Sequence, residues 1–153
     1  MSNKNLEFSE FIEKFTLRIQ NNLENVFNSY GEESCELLEP MKYSTLSGSK
    51  FIRSLLVYST GAAFKIPPKL LDQVAIAIEL IHTYTLIHDD LPCMDDDDVR
   101  RGSPSCHVAF GESSAILAGD ALHAFGFELS LNPQASPDPA VRADLALSLA
   151  QAG

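Results

Sequence analysis

The stretch HDDLPCMDDDDVRRG, residues 88–102, sets six aspartates within ten positions and two arginines directly behind them. It follows an apolar segment in which Leu70, Leu71, Val74, Ala75, Ala77, Ile78, Leu80, Ile81, Leu86 and Ile87 cover nearly the whole circumference of a helix. The spacing predicts that helix over 69–91, opened by Pro67-Pro68. A helix apolar on every side belongs in the middle of a bundle. Like charges at its C-terminal end repel one another and oppose the helix dipole, so local stability does not explain them.

The flanking segments also read as helix. Phe8, Phe11, Ile12, Phe15, Ile19, Leu23, Val26 and Phe27 recur at three- and four-residue steps and form one apolar face, ending near Tyr30-Gly31. Further helices are predicted over 36–46 and 50–64, separated by Ser47-Gly48-Ser49, then over 112–131 and 141–151, with 101–111 as a loop and Pro133, Pro137 and Pro139 marking a connection. No alternating run is long enough for a strand and no internal repeat is present, so the expected fold class is all-α, with about six helices.

The 153 residues suit one domain, and 45% hydrophobic residues can build a core. A net charge of −10 argues against a nucleic-acid partner, which needs a basic surface. No run reaches the ~18 apolar residues of a membrane span, and the polar N-terminus MSNKNLEFSE lacks a signal-peptide core. Cys35, Cys93 and Cys106, odd in number and without CxxC spacing, are expected as reduced thiols. The expected location is cytoplasmic.

Two readings of the acidic run stand: a solvated charge cluster, the usual explanation, and a hard-metal site. Three features favour the metal. The run leaves a helix buried in the bundle, so its first aspartates face the interior. Pro92 breaks the helix, so Asp89 and Asp95, about 240° apart around an unbroken helix, come together across a bend at Leu91-Pro92. Carboxylates are the preferred ligands of Mg²⁺ and Ca²⁺, and the run lacks the glycine and glutamate positions of a calcium-binding EF-hand. Magnesium held by few carboxylates completes its shell with water and substrate phosphates, and Arg100 and Arg101 are placed to grip the remaining phosphate oxygens. Internal charge balance is the alternative role for these arginines. His82, seven residues before Asp89, projects from the same face of the helix; it is either a ligand-binding residue or a hydrogen-bonded core histidine. Lys50 and Arg53, three apart at the start of a predicted helix, suit an anion, or are surface charge.

In order along the chain, MKYSTLSGSKFIRS, ELIHTYTLIHDD, LIHDDLPCMDDDDVRRGSPSCHVAFGE and AILAGDAL resemble the motifs of the trans-isoprenyl diphosphate synthases, most strongly over residues 40–130 and closest to the bacterial farnesyl-forming type. The resemblance implies an isoprenoid synthase helical bundle and a Mg²⁺-dependent prenyltransferase. Such an enzyme condenses dimethylallyl or geranyl diphosphate with isopentenyl diphosphate, here to farnesyl diphosphate, and is a homodimer in the family. It assigns Asp89, Asp90 and Asp95 to magnesium, Arg100 to the allylic diphosphate, and Lys50, Arg53, His82 and Arg101 to isopentenyl diphosphate. Tyr84, five residues before Asp89, resembles the bulky farnesyl-forming residue that limits product length; packing in the core is its other reading. No protein nucleophile is needed.

The sequence departs from the family pattern in places. Ser49 replaces the second glycine of a Gly-Gly-Lys, and Ser54 replaces a proline. The family's second aspartate-rich motif has no counterpart: after Asp98 the acids are Glu112, Asp120, Glu128, Asp138 and Asp144, no two adjacent. The resemblance therefore implies that residues 1–153 are the N-terminal part of a single polyprenyl synthase domain, with the C-terminal half absent and the chain alone inactive. A geranylgeranyl-forming synthase, a non-catalytic diphosphate-binding subunit and a plain metal-binding helical protein are the alternatives.

Overall fold

The computed structural model describes residues 3–29 and 36–152, with side chains from residue 7 onward; the expected stop at Tyr30-Gly31 and Cys35 lie outside the described residues. The first helix, α1 (Asn3–Asn28), buries Phe15, Ile19, Leu23 and Phe27, each four residues from the last. This is the apolar stripe its periodicity predicts. Helices α2 (Leu38–Leu46) and α3 (Ile52–Ala63) follow, then a 3₁₀ turn over Pro68–Leu70 and α4 (Asp72–Asp89).

The α4 helix is the axis of the molecule. Ala75, Ile76, Ala77, Leu80 and Ile87 are all at or below 3% exposure, as expected of a helix apolar all round. It starts later than the predicted 69. Two prolines set a 3₁₀ turn first, and Asp72, in the first turn of α4, is held by two other helices. Arg18 on α1 donates to both its oxygens at 2.7 and 2.6 Å, and the Tyr58 hydroxyl on α3 donates at 2.8 Å. At its other end α4 stops at Asp89. Pro92 has no N–H to offer the His88 carbonyl, which instead accepts from Leu91 at 3.2 Å in a tightened last turn.

The principal neighbour of α4 is α6 (Glu112–Leu131), whose bounds match the predicted ones. Small residues on α6 let the two backbones close up: a Cβ at Gly126 would stand 2.8 Å from the Ile81 side chain and 3.1 Å from the Ala77 carbonyl. The last helix, α7 (Pro139–Ala152), packs on α6 without a buried residue among those described.

Between α4 and α6 the chain departs from the predicted loop. A hairpin pairs β1 (Val99–Arg100) with β2 (Ser103–Pro104), and a five-residue helix, α5 (Cys106–Phe110), follows. The two-residue turn carries φ +54° at Arg101 and +82° at Gly102, the positive pair that a type I′ hairpin requires. Strands this short leave no alternation to read. The described residues thus hold seven α-helices and one small hairpin, an all-α fold as expected. No described helix is long and apolar enough to cross a membrane. Cys93 is exposed and Cys106 buried, and both are free thiols.

Candidate functional site

The acidic run folds back on the end of α4. The Asp95 N–H donates to the Asp89 carbonyl at 2.8 Å, Asp96 to Leu91 at 3.1 Å and Asp97 to Asp90 at 3.2 Å. These bonds satisfy carbonyls that a helix end otherwise leaves to solvent. They also bring Asp89 and Asp95 together across the proline break. Asp96 sits at φ +56° within this fold-back.

The carboxylates differ sharply from one another. Asp90 is 2% exposed, and both its oxygens accept from Arg100, with Nε at 3.0 and 3.1 Å and Nη2 in closer contact. A metal reaching Asp90 must displace that guanidinium. Asp97 adds a longer contact to Arg100 at 3.4 Å. The hydrogen bond to Asp90 holds the Arg100 guanidinium above its ordinary range. Asp89 is half-buried and Asp95 exposed, and neither has an ion-pair partner among the described residues. These two therefore fit a magnesium ion by donor type and by freedom. The described residues contain no ready-made cluster of three or more ligating side chains.

The cations converge on His82. Burial, joined by the charges of Arg53, Arg101 and Arg100, lowers the His82 pKa to about 4. The ring is thus neutral at pH 7 and offers one N–H beside three guanidinium charges. Arg101, at the tip of the hairpin, donates to Ser49 Oγ in a short contact, and Ser49 Oγ donates in turn to the Thr45 carbonyl at 2.6 Å. Gly48 makes that approach possible: its φ is +60°, and a Cβ there would stand 2.9 Å from Arg101 Cβ and 3.1 Å from its carbonyl oxygen. The hairpin is also pinned from α2, where the Tyr43 hydroxyl donates to the Pro104 carbonyl at 2.8 Å.

Of the expected site residues, Arg53, His82, Arg100 and Arg101 act on one another, and Asp89 and Asp95 share the adjoining bend. Lys50 does not sit on α3 as expected. Phe51 turns into the left-handed region at φ +50° with its ring buried, the helix starts at Ile52, and Lys50 is left exposed one residue before that turn. Tyr84 is half-buried, its ring 5.1 Å from His88 and 4.7 Å from His123 between centroids. Sequence reasoning marked Ser49 only as a departure from Gly-Gly-Lys, not as a partner of the hairpin, and passed over Tyr43 and Glu79. Nothing in the sequence marks the first two as holding the hairpin. Glu79 was visible as a lone charge in an apolar helix, one turn before His82.

Comparison with known proteins bears on this arrangement. The polyprenyl synthetase family model matches residues 34–144. The chain belongs to that family. It is 49% identical over 127 residues to the farnesyl diphosphate synthase of Buchnera aphidicola subsp. Acyrthosiphon pisum, covering 83% of this chain and 45% of that protein. It is 51% identical over 122 residues to the farnesyl diphosphate synthase of Haemophilus influenzae, covering 80% of this chain and 41% of that one. The crystal structure of a geranyltransferase from Legionella pneumophila superimposes on 97% of this chain and 51% of its own, with a TM-score of 0.87 at 39% identity. This polyprenyl synthetase chain spans about half the length of the relatives it matches.

Proposed function

We propose that the chain forms the diphosphate-gripping part of a prenyltransferase that joins dimethylallyl or geranyl diphosphate to isopentenyl diphosphate, with farnesyl diphosphate as product. One arrangement carries this reading: the hairpin sets Arg100 on Asp90 and Arg101 on Ser49, next to a bend where the Asp95 N–H bonds the Asp89 carbonyl and neither carboxylate has an ion-pair partner among the described residues. Such a place suits two polyanions, one held by cations alone and one through magnesium.

In this reading Asp89 and Asp95 hold Mg²⁺, and Asp90, among the ligands first expected, orients Arg100 toward the allylic diphosphate. When bound, Mg²⁺ supplies charge that stabilises the departing diphosphate. Arg53, Arg101 and the His82 N–H hold isopentenyl diphosphate, with Lys50 reaching in from the exposed turn before α3. The allylic C–O bond breaks to leave diphosphate, the isopentenyl double bond attacks the resulting cation to form the new C–C bond, and the proton lost from the adduct passes to the departing diphosphate. The fixed arginines stabilise the anionic leaving group without reorganising. A mostly apolar, open cleft of about 350 Å³ runs from Arg53 past Leu56, Val57 and Ile78. Tyr84 limits chain growth.

The test is to incubate the purified chain with Mg²⁺, geranyl diphosphate and labelled isopentenyl diphosphate. It is run alone and then supplemented with the portion of the Haemophilus relative beyond the matched region. A C15 product in either mixture, lost in an Asp89→Ala control, supports the reading. Isopentenyl diphosphate binding without product in both would reduce it to a diphosphate-binding chain. Products longer than C15 from the unmodified protein would favour the geranylgeranyl-forming alternative, whereas a shift to longer products only in Tyr84→Ala would support the role given to Tyr84.

A further inference from the structure

The last turn of α4 is held from the side by a ring. His88 Nε2 lies 3.0 Å from the Ile116 carbonyl oxygen on α6. A carbonyl only accepts, so the bond requires the ring proton on Nε2. Asp120 Oδ1 stands 4.0 Å from the same nitrogen, too far to take that bond. The ring edge fills a notch where α6 has no side chain: a Cβ at Gly119 would stand 2.2 Å from Nε2, 2.6 Å from Cδ2 and 3.0 Å from Cε1. The Tyr84 ring, one turn back on α4, meets the imidazole edge-on, with centroids 5.1 Å apart.

We propose that His88 is a positioning residue of the magnesium site: seated at Gly119 and bonded to the Ile116 carbonyl, it ties the end of α4 to α6 and so fixes where the Asp89 carboxylate stands. Asp89 follows His88 directly and is the last residue of the helix. It has no ion-pair partner among the described residues, so its place depends on the turn that carries it. That turn is weak by its own bonding. Helix ends fray, Pro92 has no N–H to continue the ladder, and the acidic charges oppose the dipole. The Asp95 N–H bonds the Asp89 carbonyl, which fixes the two aspartates to each other. The His88 ring fixes the turn that carries them to α6. Magnesium demands near-ideal octahedral geometry with short bonds, so a small swing of this turn is felt at the metal. The positioning role rests on the reading of Asp89 as a magnesium ligand; the tie between α4 and α6 does not.

Gly119→Ala is the sharpest variant. Its methyl meets the His88 ring, every proposed ligand keeps its side chain, and alanine favours a helix more than glycine does. Amide hydrogen exchange in the 153-residue chain reads the tie without any ligand. The Asp90 N–H, bonded to the Leu86 carbonyl at 3.1 Å, and the Asp95 N–H are the reporters. Both should exchange about fivefold to tenfold faster in Gly119→Ala and His88→Ala, the worth of one hydrogen bond, with Leu80 in mid-helix unchanged. Unchanged rates, or a rise shared equally by Leu80, overturn the tie. Calorimetry then reads the position of Asp89. Mg²⁺ affinity in the presence of inorganic pyrophosphate should fall roughly tenfold or more in both variants, as it does when a residue that orients a metal ligand is lost. Pyrophosphate affinity without magnesium should not change, since Arg53 and Arg101 are untouched. His88→Gln, whose amide N–H can reach for the same carbonyl, should lose less than His88→Ala, and an equal loss overturns the part given to the hydrogen bond. A merely structural histidine would lower the denaturant midpoint and leave magnesium affinity alone, so wild-type magnesium affinity in Gly119→Ala overturns the positioning role. A wild-type chain that binds pyrophosphate but no magnesium overturns the metal reading and the role with it, while the exchange comparison still judges the tie.

Discussion

The two ends of α4 use aspartate in opposite ways. At the N-terminal end Asp72 lies where the helix dipole favours an anion, and it accepts from Arg18 on both oxygens and from the Tyr58 hydroxyl. Burial, with the hydrogen bond to Asp72, raises the Tyr58 phenol above its usual range. This carboxylate is fully occupied and ties three helices together. At the C-terminal end Asp89 lies where the dipole opposes it, beside Asp95, and neither has an ion-pair partner among the described residues. Asp90, one residue on, is neutralised by Arg100, which Asp97 also contacts. The difference separates a carboxylate occupied by the fold from one that the fold leaves without an ion-pair partner among the described residues.

The comparison breaks first at Asp72. Replacing it with alanine leaves the Tyr58 hydroxyl and a half-buried guanidinium without their acceptor, and should cost about 3 kcal/mol, read as a lower denaturant midpoint. Inorganic pyrophosphate binding by the variant under folding conditions should be unchanged. A loss of under about 0.5 kcal/mol would mean that Arg18 and Tyr58 rest equally well on water, and the N-terminal end would not be structural in the sense claimed. Gly48→Ala comes next. The added methyl meets Arg101 Cβ and carbonyl oxygen and the backbone must hold a left-handed conformation, so a loss of about 1–2 kcal/mol is expected, with weaker pyrophosphate binding as Arg101 shifts. Full binding in that variant would show that the Ser49–Arg101 contact is incidental.

How much of this was legible in the sequence differs by residue. Pro92 announced a break, and with it the meeting of Asp89 and Asp95, because a missing N–H has one local consequence. The end of α6 was readable for the same reason, from Pro133 two residues after it. Lys50 was misplaced because Phe51 enters the left-handed region, a conformation rare for a bulky side chain and written nowhere in a propensity. The hairpin was missed because its strands are two residues long, although Arg101-Gly102 was a turn signal. The partners of Ser49 and Asp90 are 52 and 10 residues away. Contacts of that kind come from packing, not from local pattern.

A smaller effect follows from His82. Its folded pKa of about 4 lies below the ~6.5 of the unfolded chain. Between those values the unfolded state binds the proton that the folded state refuses, so stability falls as pH drops from about 6.5 toward 4. Allowing for solvent around a half-buried ring, the loss is about 1 kcal/mol, and His82→Gln should remove that slope from a pH series of unfolding curves. A slope that survives in the variant would assign it to other groups and weaken the picture of cations gathered on a neutral imidazole.

The smallest effect on stability is the sharpest test of the comparison. Asp89→Asn removes a negative charge from the C-terminal end of α4 and from beside Asp95, relieving both the dipole and the like-charge repulsion, while giving up a distant attraction to Arg100. The balance should leave the chain unchanged or more stable by a few tenths of a kcal/mol. Magnesium affinity in the presence of pyrophosphate should nonetheless fall tenfold or more, since one of two proposed carboxylate ligands has lost its charge. Stability and binding thus move independently at this end, whereas at Asp72 stability moves and binding does not. If Asp89→Asn were as destabilising as Asp72→Ala, both aspartates would be structural, and the acidic run would owe its place to the fold-back that caps α4 and not to a ligand.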